Sequence, residues 1–158
     1  MKLIQERNRL LPRRIFAAGA ALAFSLHWAR ADPVASPVSG KRVALRGYDP
    51  VGYFVDRRPV QGLPQYWYEF DDTIYLFANA EHRAAFVADP DRYAPQYRGY
   101  CAMAISFGQL DEGLPNVWEI LDGKLFVFGK VTGVQDFDAD QAGFTARGKA
   151  NWAATHPN

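Results

Sequence analysis

Gly62-Leu63-Pro64-Gln65-Tyr66-Trp67-Tyr68-Glu69-Phe70-Asp71-Asp72-Thr73-Ile74-Tyr75-Leu76-Phe77 decides the fold, because its pattern returns 51 residues later as Gly113-Leu114-Pro115-Asn116-Val117-Trp118-Glu119-Ile120-Leu121-Asp122-Gly123-Lys124-Leu125-Phe126-Val127-Phe128. Within each stretch, two runs of aromatic and β-branched residues flank a two-residue turn, which is the signature of a β-hairpin. The expected strands are Tyr66 to Phe70 and Thr73 to Phe77 around Asp71-Asp72, then Val117 to Leu121 and Lys124 to Phe128 around Asp122-Gly123. Asp-Gly supplies the positive φ angles that a tight type I′ turn requires. The offset of 51 pairs Gly62, Leu63, Pro64 and Trp67 with Gly113, Leu114, Pro115 and Trp118, and extends the match to Asp71/Asp122, Tyr75/Phe126, Phe77/Phe128, Phe86/Phe137, Asp89/Asp140 and Tyr93/Phe144. Agreement in one register over this length indicates an internal repeat.

Outward from each hairpin the same grammar continues. Asn79 is placed to cap a helix over Ala80 to Ala88 with Phe86 facing inward, and Asp89-Pro90 ends it and opens a further turn through Tyr93. In the second block helices are expected from about Val131 to Phe137 and from Asp140 to Trp152. Upstream, Asp49-Pro50 reads as a cap followed by a first-turn proline, opening a short helix that carries Tyr53 and Phe54. At an offset of 52, Gly47-Tyr48 matches Gly99-Tyr100, so the two units run from about 47 to 98 and from 99 to 149. The fold class is α+β: two hairpin-plus-helix units, each too small to be stable alone, packed around one aromatic-rich core. Most of the four Trp, eight Tyr and eleven Phe are assigned to that core, and superposing the two units is expected to lay Trp67 over Trp118 and Phe86 over Phe137.

The 158 residues carry 18 Lys+Arg against 17 Asp+Glu, but this balance hides an asymmetry. Residues 1–31 hold six basic side chains and one acid, which leaves 12 basic and 16 acidic groups in the remainder. A mildly acidic domain with no basic stripe is a poor match for nucleic acid or anionic membranes. The basic start, the apolar run from Ile15 to Leu26 and the small-residue site Ala29-Arg30-Ala31 read as a signal peptide cleaved before Asp32, which implies a periplasmic protein. Pro12-Arg13-Arg14-Ile15-Phe16 resembles the twin-arginine export motif, and the general secretory route is the other reading. No run approaches the roughly 20 apolar residues of a membrane span. Residues 32 to 40 are small and Pro-containing, a flexible lead-in to a domain spanning 41 to 158.

Side chains able to ligate a metal are few: Cys101 is the chain's one cysteine, Met103 follows it, and beyond the signal the imidazoles are His82 and His156. His156 is expected in a frayed tail. A zinc site of the four-Cys or two-Cys-two-His type is excluded by count. Cys101 admits two readings, a buried packing residue or a thiol held by metal or redox chemistry, since an unpaired thiol is a liability in an oxidising compartment. Asp49 is either a helix cap or a carboxylate facing Cys101 across the repeat, because the offset of 52 superimposes the two residues.

Tyr75-Leu76-Phe77-Ala78, His82-Arg83-Ala84-Ala85-Phe86, Asp89-Pro90 with Tyr93, Pro95-Gln96-Tyr97 and Gly99-Tyr100-Cys101-Ala102 together resemble the YHS domain of exported bacterial proteins. Gly47-Tyr48-Asp49-Pro50-Val51-Gly52-Tyr53-Phe54 is similar to the opening motif of the same family. The resemblance covers nearly all of the chain after residue 40 and implies a non-catalytic metal-binding module, related to the heavy-metal modules called TRASH. It implies ligand positions at Ala78 and His82, where those modules carry cysteines, so one ligand is lost and one is changed from sulfur to nitrogen. The remaining set of Cys101, His82, Met103 and Asp49 suits copper, because soft sulfur favours Cu(I) and imidazole serves either oxidation state. Two further functions stay open: a thiol-based redox enzyme or sensor with Cys101 as nucleophile and His82 as base, and a small-molecule or protein-binding module using surface aromatics such as Trp67 or Tyr97.

Overall fold

The computed structural model describes residues 37, 38 and 40–156. The expected signal at 1–31, its cleavage before Asp32 and most of the lead-in lie outside the described residues. The chain is α+β. A left-handed turn at Ala44–Gly47 leads into helix α1 (Pro50–Val55), the hairpin β1 (Leu63–Phe70) and β2 (Thr73–Phe77), then helices α2 (Ala80–Ala88) and α3 (Pro90–Tyr93). A second left-handed turn at Gln96–Gly99 leads into α4 (Ala102–Ser106), the hairpin β3 (Leu114–Leu121) and β4 (Lys124–Phe128), then α5 (Gly133–Asp138) and α6 (Gln141–Thr155). Among the described residues no helix is long and apolar enough to cross a membrane.

The two hairpins are antiparallel two-stranded sheets with matching registers. Trp67 pairs with Leu76 and Phe70 with Thr73 in the first, and Trp118 pairs with Val127 and Leu121 with Lys124 in the second. Both strands preceding the turn begin earlier than their aromatic runs, because each carries a bulge, between Leu63 and Trp67 and between Leu114 and Trp118. Proline explains the irregularity: Pro64 and Pro115 have no N–H for the ladder. Both turns hold two residues at positive φ, Asp71 (47°) with Asp72 (56°) and Asp122 (49°) with Gly123 (73°). Aspartate tolerates this region better than most side chains, which lets Asp-Asp stand where Asp-Gly was the stronger signal.

Three consecutive left-handed residues precede each of α1 and α4. Leu45, Arg46 and Gly47 have φ of 52°, 52° and 83°, and Tyr97, Arg98 and Gly99 have 54°, 53° and 82°. A non-glycine residue here costs about 1–2 kcal/mol, and burial offsets it, since Leu45 is 1% and Tyr97 8% exposed. The turns lie against each other: a Cβ on Gly99 would stand 3.1 Å from Leu45 Cδ2. Gly62 returns the chain onto the first turn, its N–H donating to the Gly47 carbonyl at 2.9 Å, and a Cβ there would lie 2.7 Å from the backbone carbon of Leu76.

Buried side chains sort into two clusters where the pattern predicted one core. The first joins Leu45, Val51, Tyr53, Tyr75, Phe77 and Phe86 to Leu125 and Val127 of β4. The second joins Tyr97, Ile105 and Val117 to Phe126, Phe128 and Phe137. Strand alternation is the reason: odd-numbered residues of β4 face one cluster and even-numbered residues the other, so β4 is a shared wall. Phe86 and Phe137 are both buried, each at the centre of a ring cluster. The tryptophans differ. Trp118 packs edge-on against Tyr53 with centroids 5.1 Å apart, whereas half-buried Trp67 lines a surface cleft of about 590 Å³ with Tyr66, Tyr68, Glu69 and Arg83.

Candidate functional site

The helix-opening residues of the two halves carry the chemistry. Asp49 is the N-cap of α1 and is wholly buried. Its Oδ1 accepts the N–H of Val51 at 2.8 Å, and its Oδ2 accepts the N–H of Ala78 at 2.9 Å, just past the end of β2. The same Oδ2 stands 2.6 Å from His82 Nδ1. The expected helix cap is present, and the carboxylate does more than cap: it ties α1, the end of β2 and α2 to one point. Each oxygen accepts a backbone N–H, so the carboxylate is an acceptor on both sides, and the hydrogen in the contact with His82 belongs to Nδ1.

His82 is placed by its own backbone as well. Asn79 caps α2, its side-chain oxygen accepting the His82 N–H at 2.8 Å, which sets His82 in the first turn with its ring turned back toward Asp49. The ring is mostly buried, with 13% of the side chain exposed. Nε2 is the ring nitrogen on the side away from Asp49. It points toward Asp56, the C-cap of α1, whose Oδ2 lies 4.0 Å away and whose side chain is 34% exposed. No spacing motif marks Asp56. It enters only because the α1 helix brings its C-terminal end beside α2.

Cys101 occupies the related position in the second half, as N-cap of α4, and is 5% exposed. Its backbone N–H donates to the Asp111 carbonyl at 2.8 Å, as that of Asp49 does to Val60 at the same distance. Its Sγ accepts weakly from the Ala104 N–H at 3.5 Å. A Cβ on Gly129 would lie 3.4 Å from that sulfur, so the thiol faces a glycine backbone where Asp49 faces Ala78. The residue in register with His82 is Gly133, which has no side chain to offer. Met103 is partly buried against the second cluster.

Of the expected set, then, Asp49 and His82 meet directly, while Cys101 and Met103 are held by α4 and its cluster. Among the described residues no group of three or more His, Cys, Asp or Glu side chains is arranged to hold a metal ion. Two further placements differ from the sequence reading. Tyr97, expected among surface aromatics, is buried against Phe126 and Trp152, because its left-handed backbone turns the ring inward. His156, expected in a frayed tail, is the C-cap of α6 and stacks on Trp152 with ring centroids 3.7 Å apart. Comparison with known proteins returns no match: no family model, no curated protein and no solved structure aligns with the chain.

Proposed function

We propose that the chain is an exported, non-catalytic metal-binding module of the YHS kind, acting in the periplasm, with copper as the foremost candidate ion. The observation that supports this reading is the Asp49–His82 pair. An imidazole whose near nitrogen is fixed by a buried carboxylate has the arrangement of a metal-ligating histidine, in which the carboxylate orients the ring and raises ligand basicity. Among divalent first-row ions an imidazole-bearing site favours copper by intrinsic affinity. The donors fit unevenly. His82 Nε2 suits a metal as it stands, whereas the Cys101 sulfur is engaged in capping α4 beneath Gly129 and needs that contact broken to reach an ion. When bound, the ion would supply a stored or transferable charge centre, with His82 holding it and Asp49 holding His82.

We read the two halves as copies of one unit, of which the first has kept a polar centre and the second has not. Equal hairpin registers, paired bulges and paired left-handed turns support that reading. The test is calorimetric titration of the metal-free full chain with Cu²⁺, beside the His82→Gln and Cys101→Ser variants and elemental analysis of protein isolated from its own periplasm. Saturable binding that His82→Gln abolishes is the expected result. No binding by the unaltered chain, with no metal in the native preparation, overturns it.

A further inference from the structure

We infer that the ion is held between His82 Nε2 and the carboxylate of Asp56, as an exposed nitrogen-and-oxygen site for a first-row divalent cation, and that Cys101 takes no part in it. This deepens the metal-binding reading and rests on it.

The distance carries the argument. At 4.0 Å the His82 Nε2 and Asp56 Oδ2 atoms are too far apart for a hydrogen bond, yet they face each other. Metal–nitrogen and metal–oxygen bonds of about 2.0–2.2 Å each span a gap of this size, and an approach of about 0.6 Å brings both donors into one tetrahedral shell. Asp56 can make that approach, since its side chain is a third exposed while its backbone is fixed by the N–H bond to the Gly52 carbonyl. His82 cannot move as freely, and does not need to: Asp49 and the Asn79 cap pre-set its ring.

Charge points the same way. Two carboxylates flank one imidazole, and among the described residues neither Asp49 nor Asp56 is paired with a Lys or Arg, although Arg57 and Arg58 follow Asp56 in sequence. Such a grouping of donors is suited to a dication. The donors are imidazole and carboxylate, which select Zn²⁺, Cu²⁺ or Ni²⁺ over Cu(I). With two protein donors the remaining positions fall to water, so the ion is readily exchanged.

The experiment is a Zn²⁺ titration of the metal-free full chain labelled with ¹⁵N-histidine, read by the imidazole nitrogen resonances, with affinity taken from calorimetry. The expected result is a shift confined to the His82 imidazole and largest at Nε2, an affinity reduced tenfold or more in Asp56→Asn, and no change in Cys101→Ser. Asp56→Asn removes only an exposed charge and preserves shape, so the variant folds. Unchanged affinity in Asp56→Asn together with loss in His82→Gln overturns the inference and leaves the metal-binding reading intact. Binding lost in Cys101→Ser and kept in Asp56→Asn likewise overturns it, placing the ion on the thiol. Absence of any binding removes both.

Discussion

Asp49 and Cys101 each open a short helix ahead of a hairpin, and they do different things there. Each follows a Gly-Tyr pair, each opens a short helix, and each donates its backbone N–H at 2.8 Å to a carbonyl of the loop before the hairpin. Around Asp49 the neighbours are Ala78 and His82, and the carboxylate is shared among three elements. Around Cys101 the counterparts are Gly129 and Gly133, and the sulfur makes one long contact within its own helix. The second half opens its helix without a carboxylate–imidazole pair, which is the physical ground for looking for function in the first.

The largest effects test whether the halves are equivalent where they look equivalent. Phe86 and Phe137 are each buried among rings, and truncation of either to Ala is expected to cost about 3–5 kcal/mol in denaturant unfolding. That is a large share of the roughly 5–15 kcal/mol that a domain of this kind retains. The loss should be somewhat greater for Phe86, which touches Tyr68, Phe70, Tyr75 and Phe77, than for Phe137 with Phe126, Phe128 and Phe144. A loss under 1 kcal/mol at either position would break the comparison at its base.

The caps come next, and here the halves should part. Asp49→Ala removes a cap and takes the acceptor from the part-buried N–H of Ala78, so a cost of about 2–4 kcal/mol is expected. Cys101→Ala removes a small buried sulfur and a weak contact, and about 1 kcal/mol is expected. Equal costs measured by urea titration would mean that the polar centre is only a cap.

Gly133 sharpens the contrast from the other side. A Cβ at this position would stand 2.3 Å from Phe128 Cβ, although the residue in register with it, His82, carries a full side chain. Gly133→Ala is expected to destabilise by about 1–3 kcal/mol through overpacking. A neutral result by thermal unfolding would show that α5 can shift to admit a side chain there.

Much of this was legible in the sequence, for identifiable reasons. The hairpins, the caps at Asp49, Asn79 and Asp89, and the inward phenylalanines follow from spacing and local chemistry, which act over a few residues. The split into two clusters was not, because it depends on which face of β4 meets which helix. Nor were Tyr97 and Asp56. A left-handed backbone at a tyrosine has no composition signal, and Asp56 reaches His82 through helix packing alone. Metal-ligand counting directed attention to Cys101, the rarest residue type, whereas the structure pairs the commoner aspartates with His82.

The smallest expected effect concerns the turns. Arg98 forms a two-pronged ion pair with Asp71, at 2.8 and 2.7 Å, linking the second left-handed turn to the first hairpin. In register with them are Arg46 and Asp122, and among the described residues neither has an ion pair. Hydrogen bonds from Arg98 hold the Asp71 carboxyl below the usual aspartate range. A depressed folded-state pKa gives stability that is present above the unfolded value, about 3.9, and is lost as pH falls through the lower folded value. Because the pair is partly exposed, solvent screening limits it to under about 1 kcal/mol. Asparagine tolerates positive φ, so Asp71→Asn removes the charge without new backbone strain at φ 47°. Its unfolding free energy should lie slightly below that of the unaltered protein at pH 7 and converge with it as pH falls below 4, while Asp122→Asn, which breaks no ion pair, should leave the unfolding free energy at pH 7 unchanged. If the Asp71→Asn curve runs parallel to the unaltered one between pH 7 and 2, with no convergence, the ion pair contributes nothing and the two turns are equivalent after all.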